Sequence, residues 1–263
     1  MVELEHAFDL LNQLGLPVSA NVLDACLDDA AKADSTYLIF LTKLLEAEVL
    51  SRQQRSLETR LKLSRLPPKK DLTNFEFSFQ PTLDERQIRE LETLAFVHRQ
   101  ENAIFLGPPG VGKSHLGIGL CLEGIRKGMT VYFTSMDKLL ADLSKSQNEG
   151  KLSRRWKVYQ RPDILMIDEI GYTNLNRETG NLFFQLVCSR YEKGSIILTS
   201  NKGFGDWGEL MSDTALATAI LDRLLHHAHV VNIRGDSYRM KERRKIGGSF
   251  LPAPPTETAN RDE

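Results

Sequence analysis

The residues with the clearest chemical purpose are Gly107-Pro108-Pro109-Gly110-Val111-Gly112-Lys113-Ser114, a complete G-x-x-x-x-G-K-S loop that follows the apolar run Ala103-Ile104-Phe105-Leu106. A strand that feeds such a turn and then a helix aims successive backbone N–H groups at one anion, and the helix N-terminus adds about half an elementary charge. The glycines let the backbone approach a phosphate with no Cβ in the way. Lys113 has the reach for β- and γ-phosphate oxygens, and the Ser114 hydroxyl is a Mg2+ ligand type. The pattern predicts a nucleoside triphosphate site.

A second group lies downstream. Ile164-Leu165-Met166-Ile167-Asp168-Glu169 is an apolar run closed by two acids. A strand buried on both faces has room for a carboxylate only at its end, where Asp168 can hold Mg2+ and Glu169 can orient and deprotonate a water. That adjacent pair favours hydrolysis over simple nucleotide binding. A further run, Ser195 to Asn201, ends in polar residues. Asn201 is either an ordinary cap or the group that senses the γ-phosphate and aligns the water. Arg223 flanks the apolar stripe Leu216, Ile220, Leu221, Leu224 and Leu225. It serves either an intrachain salt bridge or a neighbouring subunit's site, where an arginine stabilises transition-state charge. His226, His227 and His229 straddle a helix-to-strand junction without acidic or thiol companions in the chain, so no metal is expected there.

These groups need a sheet that brings strand ends together. Strand-like runs at 103–106, 131–134, 164–167, 195–201 and 230–233 alternate with helical periodicity, which predicts an α/β fold. Residues 82–246 form the main domain, and Thr82 with Glu85 reads as the capping box that opens it. Before it, three helices fill residues 1–66: one from Leu4 to Leu14, one from Ala20 with Ser19 as its cap, and one that starts after Asp34-Ser35 and stops at Pro67-Pro68. Residues 67–81 read as a linker in which Phe75, Phe77 and Phe79 alternate, so that one face packs on the main domain or meets a nucleotide base. Residues 247–263 have too little apolar surface to fold and are expected to be a disordered tail.

The 263 residues carry 34 basic and 35 acidic side chains, and the distribution is more telling than the balance. Residues 1–50 hold nine acids and two bases, whereas 52–70 holds seven bases and only Glu58. Arg52, Arg55 and Arg60 are therefore candidates for phosphate contact, with a merely solvated face as the alternative. Lys145, Lys151, Arg154 and Arg155 form a second basic cluster, interleaved with Trp156 and Tyr159, which are either stacking platforms or core. Three scattered cysteines indicate neither disulfides nor zinc, and fit a cytoplasmic protein. No apolar run is long enough to span a membrane.

The stretches Leu106 to His115, Asp168 to Tyr172, Leu221 to His227 and Gly235-Asp236-Ser237-Tyr238-Arg239 together resemble an AAA+ ATPase, and more closely the IstB-type ATP-binding proteins of insertion sequences, relatives of the helicase loader DnaC. The resemblance implies ATP and Mg2+ as ligands, a five-stranded parallel sheet in the order five-one-four-three-two, and a small helical N-terminal domain that clamps subunits and holds DNA. It implies a homo-oligomer on double-stranded DNA that recruits and stimulates a partner transposase. By the same resemblance the loop through His115 binds nucleotide, Ser114 and Asp168 hold Mg2+, and Glu169 and Asn201 serve hydrolysis. Arg223 becomes the finger that acts in trans, and Arg239 a candidate for nucleotide or DNA. Two other readings stay open: a helicase loader acting on single-stranded DNA, and a small-molecule kinase, which Glu169 and Asn201 disfavour.

Overall fold

The computed structural model describes residues 2–238, apart from 69 and 173, together with 240 and 241. Five parallel strands form one sheet: β1 (Asn102–Leu106), β2 (Val131–Ser135), β3 (Ile164–Ile170), β4 (Ser195–Ser200) and β5 (Ala228–Asn232), ordered β2-β3-β4-β1-β5. This is the order that the resemblance implies. Because successive side chains point to opposite faces, β1 sends Ile104 and Leu106 into one core and Ala103 and Phe105 into the other. The first core is closed by α7 (Met136–Asn148), α9 (Arg177–Arg190), α10 (Trp207–Leu210) and α11 (Thr214–Leu225). The second is closed by α4 (Glu85–Glu92), α5 (Ala95–His98) and α6 (Lys113–Arg126). Cover on both faces is why the inner strands read as nearly unbroken apolar runs.

Ahead of the sheet run α1 (Val2–Gln13), α2 (Pro17–Lys32) and the 28-residue α3 (Tyr37–Ser64). The end of α3 lies on the α/β layer, with Leu57 packed into the second core and the Arg65 guanidinium 5.5 Å from the Tyr132 ring centre. Helix α2 begins at Pro17, so Ser19 sits inside it and is buried, its hydroxyl donating to the Leu44 carbonyl at 2.8 Å. The cap comes instead from Glu48 on α3, whose carboxylate accepts from the Val18 and Ser19 amides at 2.8 and 3.3 Å. Thr82 and Glu85 likewise form no capping box: Asp84 caps α4, and the Thr82 hydroxyl donates to the Arg234 carbonyl at 2.6 Å. The phenylalanine stretch lies against the second core through Phe75 and Phe77. It makes two 3-10 turns, Leu72–Asn74 and Phe77–Phe79, the first capped by Asp71.

Helix α8 (Leu152–Gln160) ends over one of the fold's less common groups, a buried Arg190 without a carboxylate partner among the described residues. Its guanidinium donates to the carbonyls of Tyr159, Gln160 and Pro162 through Nη1, and to those of Asp163 and Ser195 through Nη2. Burial pushes its pKa down to about 10, with Asp163 opposing the shift. The negative end of α8 and the converging carbonyls compensate the charge.

Two stability outcomes follow from these contacts. Arg190→Met leaves the carbonyls without their donor and should lower stability by about 3–5 kcal/mol, read as an earlier urea midpoint. At Glu48, burial raises the carboxyl pKa, but the Val18 amide, Arg52 and the Ser19 amide outweigh it, so the net pKa lies below 4.5. A depressed carboxylate pKa stabilises above the unfolded value and loses that contribution as pH falls through the folded one. Wild type should therefore melt above Glu48→Gln at neutral pH, with the gap closing as pH drops below 4.5. An equal gap at both pH values would contradict the assignment.

Candidate nucleotide site

The phosphate loop joins β1 to α6 and is shaped by contacts that leave no room for side chains at three glycines. Gly107, Gly110 and Gly112 have φ of 146, 86 and 101°. A Cβ on Gly107 would lie 2.2 Å from the Ile233 carbonyl oxygen, and one on Gly110 would lie 2.1 Å from the Ser237 hydroxyl. Lys113 is buried, and its ammonium donates to the Gly107 and Pro108 carbonyls at 2.7 and 2.8 Å. The lysine thus holds the curve of the loop. Pro109, Gly110, Val111, Gly112, Lys113, Ser114 and His115 all line a cleft of about 430 Å³.

Across the loop, the ends of β3 and β4 meet. The Ser114 hydroxyl donates to the Asp168 carboxylate at 2.7 Å, bringing together residues 54 apart in the chain. The Thr199 hydroxyl also donates to Asp168 and accepts from the Glu169 amide at 2.9 Å. The β3–β4 register slips between Ile167 and Ile170, and Glu169 takes φ of 66°. A bulge of this kind re-aims side chains. Asp168 stays buried among hydroxyls while Glu169 is exposed on the cleft wall. A hydroxyl and a carboxylate in contact are the hard oxygen donors that Mg2+ takes, so Ser114 and Asp168 fit the ion.

Asn201 lines the same cleft, and its Oδ1 is a buried acceptor with no hydrogen-bond partner among the described residues. The Asn201 backbone N–H donates to the Ile170 carbonyl at 3.2 Å, and Gly171 keeps the space beside Oδ1 open, since a Cβ there would sit 2.3 Å from it. An orphaned buried acceptor costs about 1–3 kcal/mol unless a bound molecule meets it.

The opposite wall is the strap of residues 70–80. Phe75, Phe79, Asn74 and Gln80 line the cleft with Tyr238, and Phe79 meets Tyr238 edge-on at 5.2 Å. Phe75 meets His115 edge-on at 5.4 Å, while the His115 Nε2 lies 2.7 Å from the Asp71 carbonyl. Asp71 is also paired with Arg126 on α6, and Arg126 followed by the Thr73 amide holds its carboxyl down at about 2. His115 therefore ties the strap to the helix that starts at the phosphate loop. Thr199, Asn74 and Gln80 escape a reading of the sequence. Only Thr199 leaves a trace there, as a polar residue directly before the polar end of an apolar strand.

Other candidates lie away from the cleft. Arg223, in the last turn of α11, donates to the Ala219 carbonyl at 2.9 Å and stands 5.0 Å over the Phe184 ring. It makes no ion pair among the described residues, so the intrachain salt bridge is absent there. Arg239 lies outside the described residues, as does the expected tail at 247–263. Arg52 and Arg55 pair with Glu48 at 3.1 and 3.4 Å, which gives them a structural task. Arg60 lies close to Gly128, and Lys145 and Lys151 flank Glu149 at 3.9 and 3.0 Å. Arg154 is exposed, and Arg155 pairs with Asp142. Tyr159 is buried and Trp156 packs against the first core, so these two aromatics serve packing. Arg65, Lys138, Lys145 and Arg155 instead line a groove of about 410 Å³ beside edge strand β2.

Comparison with known proteins fits this geometry. The family described as IstB-like ATP binding protein matches residues 9–246. The chain is 46% identical over 240 residues to the "Insertion sequence IS5376 putative ATP-binding protein" of Geobacillus stearothermophilus, covering 91% of this chain and 96% of that one. To the corresponding IS21 protein of Pseudomonas aeruginosa it is 50% identical over 238 residues, 90% of each chain. In fold, it is similar to AMPPCP-bound DnaA from Aquifex aeolicus, with a TM-score of 0.53 and 24% identity over 69% of this chain and 56% of that one. No described helix is long and apolar enough to cross a membrane. With a phosphate loop, an acidic strand end and a parallel sheet of AAA+ order, the chain belongs to the family of IstB-like ATP-binding proteins of insertion sequences.

Proposed function

We propose that this protein is a Mg2+-dependent ATPase that assembles with copies of itself on double-stranded DNA and recruits and stimulates the transposase of its insertion sequence. The observation that carries the hydrolytic part is the Ser114–Asp168–Thr199 cluster, beside which the bulge turns Glu169 toward the cleft. Bound between Ser114 and Asp168, Mg2+ would supply charge neutralisation at the phosphates. Lys113 and the loop amides bind the phosphate oxygens, and Asn201 offers its Oδ1 to the attacking water. Glu169 takes that water's proton as the new O–P bond forms at the γ-phosphorus and the β–γ bridge bond breaks, leaving ADP and phosphate.

Arg223 is not among the residues of its own cleft, which supports a role at a neighbour's site. Helix α3 exposes Tyr37, Leu38, Leu41, Leu45, Val49 and Leu50, an apolar surface that assembly would cover. In this reading residues 1–66 serve assembly and DNA contact, 67–81 link and strap the nucleotide, and 82–246 form the ATPase domain. The two basic runs of the sequence converge at the groove lined by Arg65, Lys138, Lys145 and Arg155, which supports one continuous DNA track.

The test of DNA choice is ATP-dependent binding to duplex and single strands of equal length across a salt series. The proposal expects duplex preference, large assemblies, and log affinity falling about 0.9 per neutralised phosphate against log salt. Single-strand preference would favour the helicase loader, and phosphoryl transfer to a metabolite without any DNA binding would favour the kinase.

Variants separate the roles. Lys113→Ala should lose nucleotide binding and assembly. Glu169→Gln should keep ATP and DNA binding while kcat falls by about 10²–10⁴. Arg223→Ala should lower kcat by about 10³ or more. Mixing it with Glu169→Gln subunits, which retain the arginine, should restore part of the ATPase rate. No recovery in mixtures that still co-assemble would place the function of Arg223 within its own chain.

A further inference from the structure

The three histidines that lack acidic neighbours in the sequence acquire them in the fold. His229 is taken by Glu101, with Nε2 2.8 Å from the carboxylate. His226 and His227 follow α11 and face the turn between α9 and β4, where Glu192 sits at φ of 54°. One ligand atom from each of Glu192, His226 and His227 lies within 4.8 Å of the other two, and all three residues are exposed. The His227 Nε2 is already 3.5 Å from the Glu192 carboxylate, and the two imidazole centres are 4.0 Å apart.

We propose that Glu192, His226 and His227 bind one borderline divalent cation of the Zn2+ class. Two imidazoles and one carboxylate are the donor set of three-ligand zinc sites in which water takes the fourth position. Bonds of about 2.0–2.1 Å in a tetrahedron put ligand atoms about 3.3 Å apart. The Glu192–His227 pair is near that spacing, and rotation of exposed side chains closes the rest. The Tyr191 hydroxyl is 2.6 Å from the His226 Nδ1, and their rings stack. When Nδ1–H donates to that oxygen, Nε2 keeps its lone pair for the ion, an outer-shell arrangement common around bound metals. Mg2+ prefers oxygen ligands, so this site and the Ser114–Asp168 pair select different ions.

The scaffold is rigid on one side. Arg190, two residues before Glu192, is fastened to five backbone carbonyls. On the other side is the last turn of α11, where Arg223 lines a small pocket together with Glu192 and His227. An ion here fastens the α9–β4 turn to the segment that carries Arg223.

The test uses the full chain, stripped with EDTA and returned to Mg2+ buffer. Co2+ should bind with one equivalent, give the visible absorption of a tetrahedral site and be displaced by Zn2+. His226→Gln and His227→Gln should abolish the band, Glu192→Gln should weaken binding at least about tenfold, and the remote His98→Gln should change nothing. Each variant is checked for an unchanged melting temperature in EDTA. Zn2+ should also slow amide exchange across 222–228. Absence of a Co2+ band up to about 0.1 mM, or an unchanged band in His227→Gln, overturns the site. Unchanged exchange at 222–228 with Zn2+ bound overturns the bracing. ATP hydrolysis enters none of these readouts, so their failure is independent of the proposed activity.

Discussion

Asp168 is a carboxylate of 7% exposure near the end of β3, behind four side chains that are fully buried, and a charge in that position needs donors to hold it. The donors are hydroxyls from two other elements, Ser114 in the first turn of α6 and Thr199 near the end of β4. Satisfying one buried charge therefore brings together the ends of three elements. The Thr199 oxygen is used twice, because it also accepts the Glu169 amide, and this fixes the residue at which the β3–β4 ladder slips. Two adjacent acids thereby face different surroundings: one is buried among hydroxyls and the other is exposed on the cleft wall.

The opposite ends of the strands are fastened by complementary means. There the buried Arg190 gathers carbonyls from the end of α8, the approach to β3 and the start of β4. Asn102 at the start of β1 donates to the Leu224 carbonyl at 3.0 Å and accepts from the Ile196 amide at 2.9 Å, joining α11, β1 and β4. Ligands of open parallel sheets bind beyond the carboxyl ends of the strands. Here that end carries the nucleotide cleft, while the amino end is stitched by Arg190 and Asn102, which hold backbone groups of the neighbouring elements.

How far each feature could be read in the sequence depended on the range of the contacts behind it. The phosphate loop and the acidic strand end are local patterns, and loop residues 109–114 line one cleft with Glu169. The alternation of apolar runs predicted only an α/β fold, and strand order rested on family likeness. Contacts between distant residues were illegible. Ser19 and Thr82 look like caps by composition, yet Leu44 and Arg234 take their hydroxyls, while Glu48, some thirty residues away, caps α2. Alternating phenylalanines predicted a face turned to the main domain, and Phe75 and Phe77 do lie against the second core, but the 3-10 turn that Asp71 starts by capturing the Thr73 amide was not read. The acidic partner of His227 was hidden for the same reason, since Glu192 is 35 residues upstream.

The same distinction bears on the basic residues. Arg52 and Arg55 serve the buried Glu48, and Arg155 serves Asp142, so a phosphate would have to compete with an existing partner for each. Lys145 and Lys151 share Glu149, and both are at least 70% exposed, where an ion pair contributes little. Moving such a lysine to a phosphate sacrifices little folding stability, whereas withdrawing Arg52 removes a donor from the carboxylate that caps α2. Under the proposed DNA-binding role, affinity then comes mainly from the α7–α8 side of the basic groove. The Arg52–Arg55 side has its main effect through the position of α3, whose end meets the same groove at Arg65.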